Sequence, residues 1–184
     1  MNVNLKQFNP NSFDKGASVK KQLIWILCNT FFLKNPLMLF MRPKIFLLKF
    51  FGAKIGKGLV IKPCVNIKFP WKLEIGEQVW LGENVWIDNL DKVIIGNHVC
   101  ISQGALLLTG NHDYKSVSFD YKNAPIFLED GVWIGAKTVV CPGVKCHSHA
   151  ILTVGSVAMK NLDSFGIYQG IPAVKIRQRD IIDE

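Results

Sequence analysis

A branched aliphatic residue recurs every six positions through most of this 184-residue chain. From Leu128 the run is unbroken, reading LEDGVW, IGAKTV, VCPGVK, CHSHAI and LTVGSV. Six residues advance an α-helix by about 600°, or about 240° net, so no helix can keep this stripe on one face. Short strands joined by tight turns can. With three register breaks the series covers fifteen positions: Ile55, Ile61, Ile67, Ile75, Leu81, Ile87, Ile95, Ile101, Leu107, Leu128, Ile134, Val140, Cys146, Leu152 and Ala158. All but Cys146 and Ala158 are branched aliphatics.

Hexapeptide periods are the signature of a parallel β-helix, in which each turn of chain stacks on the last and buries a continuous core. Three hexads close one triangular coil, which predicts about five coils and a prism on the order of 24 Å long. Each lead side chain points inward and stacks on its counterpart one coil away. The position four later must be small or β-branched where the corner closes, as at Val79, Val85, Val99, Ala105, Val132, Thr138, Val144, Ala150 and Ser156. Glycine follows the lead at Gly56, Gly76, Gly82, Gly96 and Gly135, a placement read as relief for a tight corner.

The chain divides into an N-terminal helical segment, 1–51, and a β-helix domain, 52–184, with a loop over 109–127 and a C-terminal tail over 160–184. Hydrophobic residues make up 49% of the chain, and many lie between Leu23 and Phe51. Lys34, Asn35, Pro36, Arg42, Pro43 and Lys44 interrupt that stretch, so no run of about 20 apolar residues remains to span a bilayer. It also lacks the early position and cleavage site of a secretory signal. Two or three short helices are expected, over 17–34 and 36–51. They either cap the open end of the coil or pack on a neighbouring subunit. The other reading lays 17–51 in a membrane interface, with Lys20, Lys21, Arg42, Lys44 and Lys49 at headgroup level.

Five cysteines without paired spacing, and no export signal, point to a reduced, cytoplasmic setting. Cys141, Cys146, His147 and His149 are close in sequence, but Cys146 takes a core lead position and consecutive residues diverge, so no metal site is expected. The formal charge of +8 is dispersed and has no reading element for nucleic acid. Phosphate-bearing small molecules and anionic membrane surfaces account for it more economically.

The register fails for longest after Leu107, where TGNHDYKSVSFDYKNAPIF precedes Leu128. Loops extruded from rigid scaffolds carry function disproportionately. His112 is the only histidine in this one, and imidazole suits general-base work near neutral pH.

These hexads, the loop opening TGNHDY, the following VWIGAKTVVCPGV and the terminal GIPAVKIR resemble the left-handed β-helix acyltransferases of the hexapeptide-repeat superfamily. Within it, and over about residues 52–180, the chain is most similar to colanic-acid-type polysaccharide O-acetyltransferases. The resemblance implies left-handed coiling, a homotrimer, an active site between two subunits, and transfer of acetyl from acetyl-CoA to a sugar hydroxyl. It implies His112 as the catalytic base, Trp133 beside the pantetheine arm, and coenzyme A contacts at Gly135, Ala136, Val154, Lys160, Gly170 and Arg177. The backbone N–H of Ala136 is the candidate oxyanion donor. Asp88 and Asn89 fall near the acceptor position of relatives; as corner-shaping residues they have a second reading. One departure is Asn111, inserted between Gly110 and His112 where galactoside-type relatives read TGH.

The expected function is therefore acetyl-CoA-dependent O-acetylation of a cell-surface polysaccharide precursor, without a metal. Free or nucleotide-linked sugars are alternative acceptors. Two other readings are a non-catalytic sugar-binding scaffold and a zinc hydratase resembling gamma-type carbonic anhydrases. The hydratase would need further loop histidines, and position 117 is Val117.

Overall fold

The computed structural model describes residues 2–182. Fifteen strands of two or three residues, from Lys54–Ile55 to Val157–Ala158, each end at or within one residue of a lead position. They stack into three parallel faces. Face A joins Ile55, Ile75, Ile95, Leu128 and Cys146 in register. Face B joins Ile61, Leu81, Ile101, Ile134 and Leu152, and face C joins Ile67, Ile87, Leu107, Val140 and Ala158. The lead side chains are buried, apart from Ile55, which is half-buried at the end of the stack. Every coil donates backbone hydrogen bonds to the next, as from Trp80 N–H to Val99 O and Trp133 N–H to Ala150 O, both 2.9 Å.

The five expected coils are complete, and a sixth begins beyond them. Leu162 pairs with Cys146 on face A, and strand Gly166–Gly170 adds to face B before turning back as the antiparallel strand Ala173–Gln178. The tail thus extends the solenoid and covers its exposed edge.

The corners differ from expectation in one respect. The left-handed backbone falls three residues after the lead, at Gln78, Asn84, His98, Lys137 and His149 among others, not at the glycine directly after it. Gly135 is instead demanded by closeness of the next coil, since a Cβ there would lie 2.6 Å from the Leu152 carbonyl oxygen. The small residues four after the lead are buried as expected.

All three register breaks fall on the same edge of the prism, between faces C and A. They follow Ile67, Ile87 and Leu107, so three irregular crossings lie one above another. This edge carries the long loop.

The N-terminal helices are α1, Val19–Cys28, continued by a π-helical turn Asn29–Leu33, and α2, Met41–Phe50. The second is shorter than the expected 36–51, because Leu37 and Met38 donate back to Asn35 in a turn. Pro43 falls in its first turn, where a missing N–H costs nothing. Ser18 caps α1 by accepting from Lys21 N–H at 3.3 Å. Trp25 is buried and donates its indole N–H to Ile67 O at 2.9 Å. Together with Leu33, Leu48 and Phe51 it joins the solenoid core, while α2 lies against the first strands of faces A and B and the π-helical turn against face C. The helices therefore cap the first coil with their inner side. Among the described residues no helix is long and apolar enough to cross a membrane.

Candidate active site

In each two-residue strand the second side chain points in and the first points out. Trp133 precedes the lead Ile134, so period-2 alternation sends its ring outward on face B, where it is 45% exposed. Its indole N–H donates to Ser102 Oγ at 2.9 Å, which fixes the ring across the neighbouring coil. Beside it runs a groove of about 500 Å³ lined by Trp133, Gly135, Ala136, Val154 and Arg177, five of the seven residues expected to hold coenzyme A. Gly170 lies outside the lining, donating its N–H to Ser156 Oγ at 3.0 Å. Lys160 is exposed and lies outside the lining.

The groove suits a long ligand with an anionic end. Ile151 and Ile167 form an apolar floor in line with Trp133, and Arg177 is carried beside them by the returning strand. The Ala136 N–H makes no hydrogen bond with any described residue, while its carbonyl accepts from Gly155 N–H at 2.9 Å. A free donor on a corner held from both sides is what oxyanion stabilisation needs. Ser102, Gln103 and Thr153 also line the groove and went unrecognised in the sequence. Outward alternation on face B was the signal for such positions.

His112 sits on the C–A edge and is half-buried. Its Nδ1 lies 2.8 Å from the Phe119 carbonyl oxygen. A carbonyl only accepts, so Nδ1 carries the proton and Nε2 keeps the lone pair. The imidazole stacks on Phe119 with centroids 4.4 Å apart and planes 7° apart, and on Tyr121 at 4.8 Å. Asn111, the residue inserted before it, accepts the His112 backbone N–H through Oδ1 at 2.8 Å. The extra residue is therefore a brace for the histidine's backbone. None of these partners was legible in the sequence, because a loop without periodicity does not announce its pairs.

Asp88 and Asn89 occupy the crossing below the loop, and the structure separates their roles. Asn89 is fully buried; its Oδ1 accepts from Phe69 N–H at 2.9 Å and its Nδ2 donates to Phe69 O at 2.7 Å. Both ends of the amide are used by the Phe69 backbone, so Asn89 clamps the crossing above Ile67. Asp88 faces a separate groove of about 360 Å³ between α1 and the coil, alongside Trp86, Asn29 and Lys68. Lys68 Nζ lies 3.0 Å from its Oδ1. The Asp88 carbonyl also accepts from Thr109 Oγ1 at 3.0 Å, which ties this crossing to the start of the loop.

Within one chain, then, His112 and Asp88 share the C–A edge, whereas the Trp133 groove opens on face B. His112 does not line that groove. Cys146 is in the core, where burial pushes its thiol up to about 12, and among the described residues no group of three His, Cys, Asp or Glu side chains converges on a metal position.

No protein-family model matches the chain. The WcaF protein of Escherichia coli strain K12, named as a colanic acid biosynthesis acetyltransferase, is 39% identical over 170 residues, covering 92% of this chain and 93% of the relative. The galactoside O-acetyltransferase of the same strain is 27% identical over 135 residues, covering 72% of this chain and 66% of the relative. Among solved structures, a hexapeptide-repeat acetyltransferase of Vibrio cholerae complexed with acetyl coenzyme A superposes with a TM-score of 0.81 over 96% of this chain and 97% of that one, at 22% identity. Mirror-image solenoids do not superpose, so the match to left-handed β-helices makes this coil left-handed. Fold, hexads and near full-length identity to an acetyltransferase agree: the chain belongs to the hexapeptide-repeat acetyltransferases.

Proposed function

We propose that this protein is an acetyl-CoA-dependent O-acetyltransferase acting on a sugar hydroxyl of a cell-surface polysaccharide precursor, with residues 52–184 carrying the chemistry. The observation that supports the catalytic assignment most directly is the 2.8 Å contact of His112 Nδ1 with the Phe119 carbonyl, which leaves Nε2 basic. Acetyl-CoA supplies an activated acyl group as its thioester. Trp133 and the apolar floor would hold the pantetheine arm, and Arg177 would meet phosphate. His112 removes the acceptor hydroxyl's proton as that oxygen attacks the thioester carbonyl, and Ala136 N–H donates to the oxygen that gains charge. The proton then passes from His112 to the leaving thiolate. Sugar and polysaccharide acceptors follow from the names of the two Escherichia coli relatives, and Asp88 remains the acceptor contact we propose on this chain.

A single chain keeps His112 and the groove on different sides of the prism. We therefore read the working form as a homotrimer in which one subunit's C–A edge meets the next subunit's face B. Sedimentation equilibrium should give three chains, and a dimer or monomer with full turnover would overturn this. The activity is tested by mass spectrometry of acetyl transfer from acetyl-CoA to a panel of lipid-linked, nucleotide-linked and free saccharides. Replacing His112 by alanine should lower turnover by about 10²–10⁴-fold with unchanged thermal melting. Undiminished turnover, or acetylation of amines alone, would sink the assignment.

A membrane location is part of the same reading. Between Lys15 and Leu73 the chain has twelve lysines and arginines and no acidic residue. The capping segment exposes Phe31, Phe46 and Phe50 on its helices and Leu37, Leu39 and Phe40 in the connection between them, with Phe40 75% accessible. Lys44, expected at headgroup level, is instead buried with its Nζ donating to Lys62 O at 3.3 Å, but exposed apolar side chains on a segment otherwise this cationic suit an anionic lipid surface. Vesicles containing anionic phosphatidylglycerol should co-sediment the protein, and Phe40→Glu should weaken that binding; equal binding by the variant, or burial of this side against another subunit, would refute it.

A further inference from the structure

The first fifteen residues contain no hexad, yet their contacts converge on one place. Asn4 N–H donates to Val117 O and Asn9 N–H to Asp120 Oδ1, both at 2.9 Å, and Tyr121 N–H donates to Ser12 Oγ at 3.3 Å. Phe8 lies with its ring centroid 5.7 Å from His112 and 5.3 Å from Tyr121, and Phe13 packs edge-on against Tyr121 at 4.8 Å. Trp71 then ties the chain down by donating its indole N–H to Lys15 O at 2.7 Å. Residues 4–15 thus form an arm that crosses the loop beside His112, although Asn9 and Asp120 are 111 positions apart in sequence.

Among the described residues the His112 ring has three aromatic neighbours, and two of them, Phe119 and Tyr121, belong to its own loop. A surface loop of this kind is mobile unless something outside it holds it. Phe8 comes from outside. Its ring packs on the imidazole and on Tyr121, so it restrains the histidine from a side the loop itself does not supply. Asp120 fastens the other flank: it accepts from Asn9 N–H and from Ser118 Oγ at 2.7 Å, and these bonds hold its carboxyl below the usual carboxylate range.

We infer that Phe8 is a positioning residue for His112, and that the arm of residues 4–15 is a working part of the active-site loop. The inference rests on the reading of His112 as the base. Its consequence is specific: Phe8 acts through the imidazole, by holding one tautomer and one orientation. General solenoid stability is not involved, since Phe8 lies outside the core cluster.

The test uses the full-length chain labelled with ¹⁵N-histidine, with the His112 ring signals assigned by their loss in His112→Ala. The parent protein should show His112 in a single neutral tautomer protonated at Nδ1. Phe8→Ala should give a mixture of tautomers, and Phe8→Leu should restore most of the original form. In turnover of acetyl-CoA with the best acceptor of the panel, Phe8→Ala should lower the rate by about 10–10²-fold while leaving the KM for acetyl-CoA within about twofold. Adding Phe8→Ala to His112→Ala should change nothing further. Unchanged ring signals in Phe8→Ala, or an equal rate loss in both backgrounds, would overturn the inference. Full turnover in His112→Ala would instead refute the base assignment, so the two failures are distinguishable.

Discussion

Between Leu128 and Ala158 the solenoid turns every six residues without exception, whereas along the C–A edge the crossings after Ile67, Ile87 and Leu107 all exceed six residues and differ in content, the last being by far the longest. The regular stretch is held by repetition. Each lead stacks in register on its counterparts above and below, and the strand backbones pair with the next coil. The irregular edge is held by individual bonds: the Asn89 clamp on Phe69, Lys72 Nζ donating to Leu90 O at 2.6 Å, and Thr109 on Asp88. Repetition provides stability but places the same side chains at every level. Only the unrepeated edge can place one imidazole against one carbonyl, whereas the regular stretch offers the groove beside Trp133.

Substitutions should separate the two regions. The largest effect is expected from Ile134→Asp, which puts an unpaired carboxylate at a fully buried lead; a loss above about 4 kcal/mol, read by urea unfolding, is predicted. Wild-type stability in that variant would break the repetition argument. Asn89→Ala comes next, because it leaves the Phe69 N–H buried without a partner and the Phe69 C=O with only the Lys72 N–H. A loss of about 1–3 kcal/mol in unfolding free energy is expected, together with lower activity from a displaced loop.

Trp133→Ala tests the groove itself. It should raise the KM for acetyl-CoA by about tenfold, with a melting temperature close to that of the parent, because the ring is outward and half exposed. An unchanged KM would move the cofactor's arm off face B.

The smallest effect concerns Glu129, whose carboxyl is lowered to about 2, chiefly by the hydrogen bond from Lys145 and opposed by partial burial. A carboxyl depressed in the folded state adds stability above its unfolded value, near 4.5, and loses it as pH falls toward about 2. Solvent screening keeps the effect below about 1 kcal/mol. Glu129→Gln should therefore lower stability slightly at pH 7 and flatten the acid limb of the melting-temperature profile below pH 4.5, the variant and parent converging as pH falls toward about 2.

Much of the fold was legible in the residues. The fifteen lead positions, the small residues four places on and the placement of Trp133 all follow from local rules that repeat, so an error at one level would be exposed at the next. The glycines were placed correctly but for a different reason, since the approach of the neighbouring coil is a contact between levels. Asn89 kept two readings in the sequence because a polar residue at a corner looks the same whether its amide faces a ligand or a backbone.

By itself the sequence determined the solenoid, its register and the edge on which the register fails, because hydrogen bonding between coils repeats with the chain. It also singled out His112 as the one histidine in that interruption. Only the tertiary structure decided what holds the imidazole. The Phe119 carbonyl, the Tyr121 ring and Phe8 meet through packing of segments far apart in the chain, and no period in the sequence encodes such a meeting.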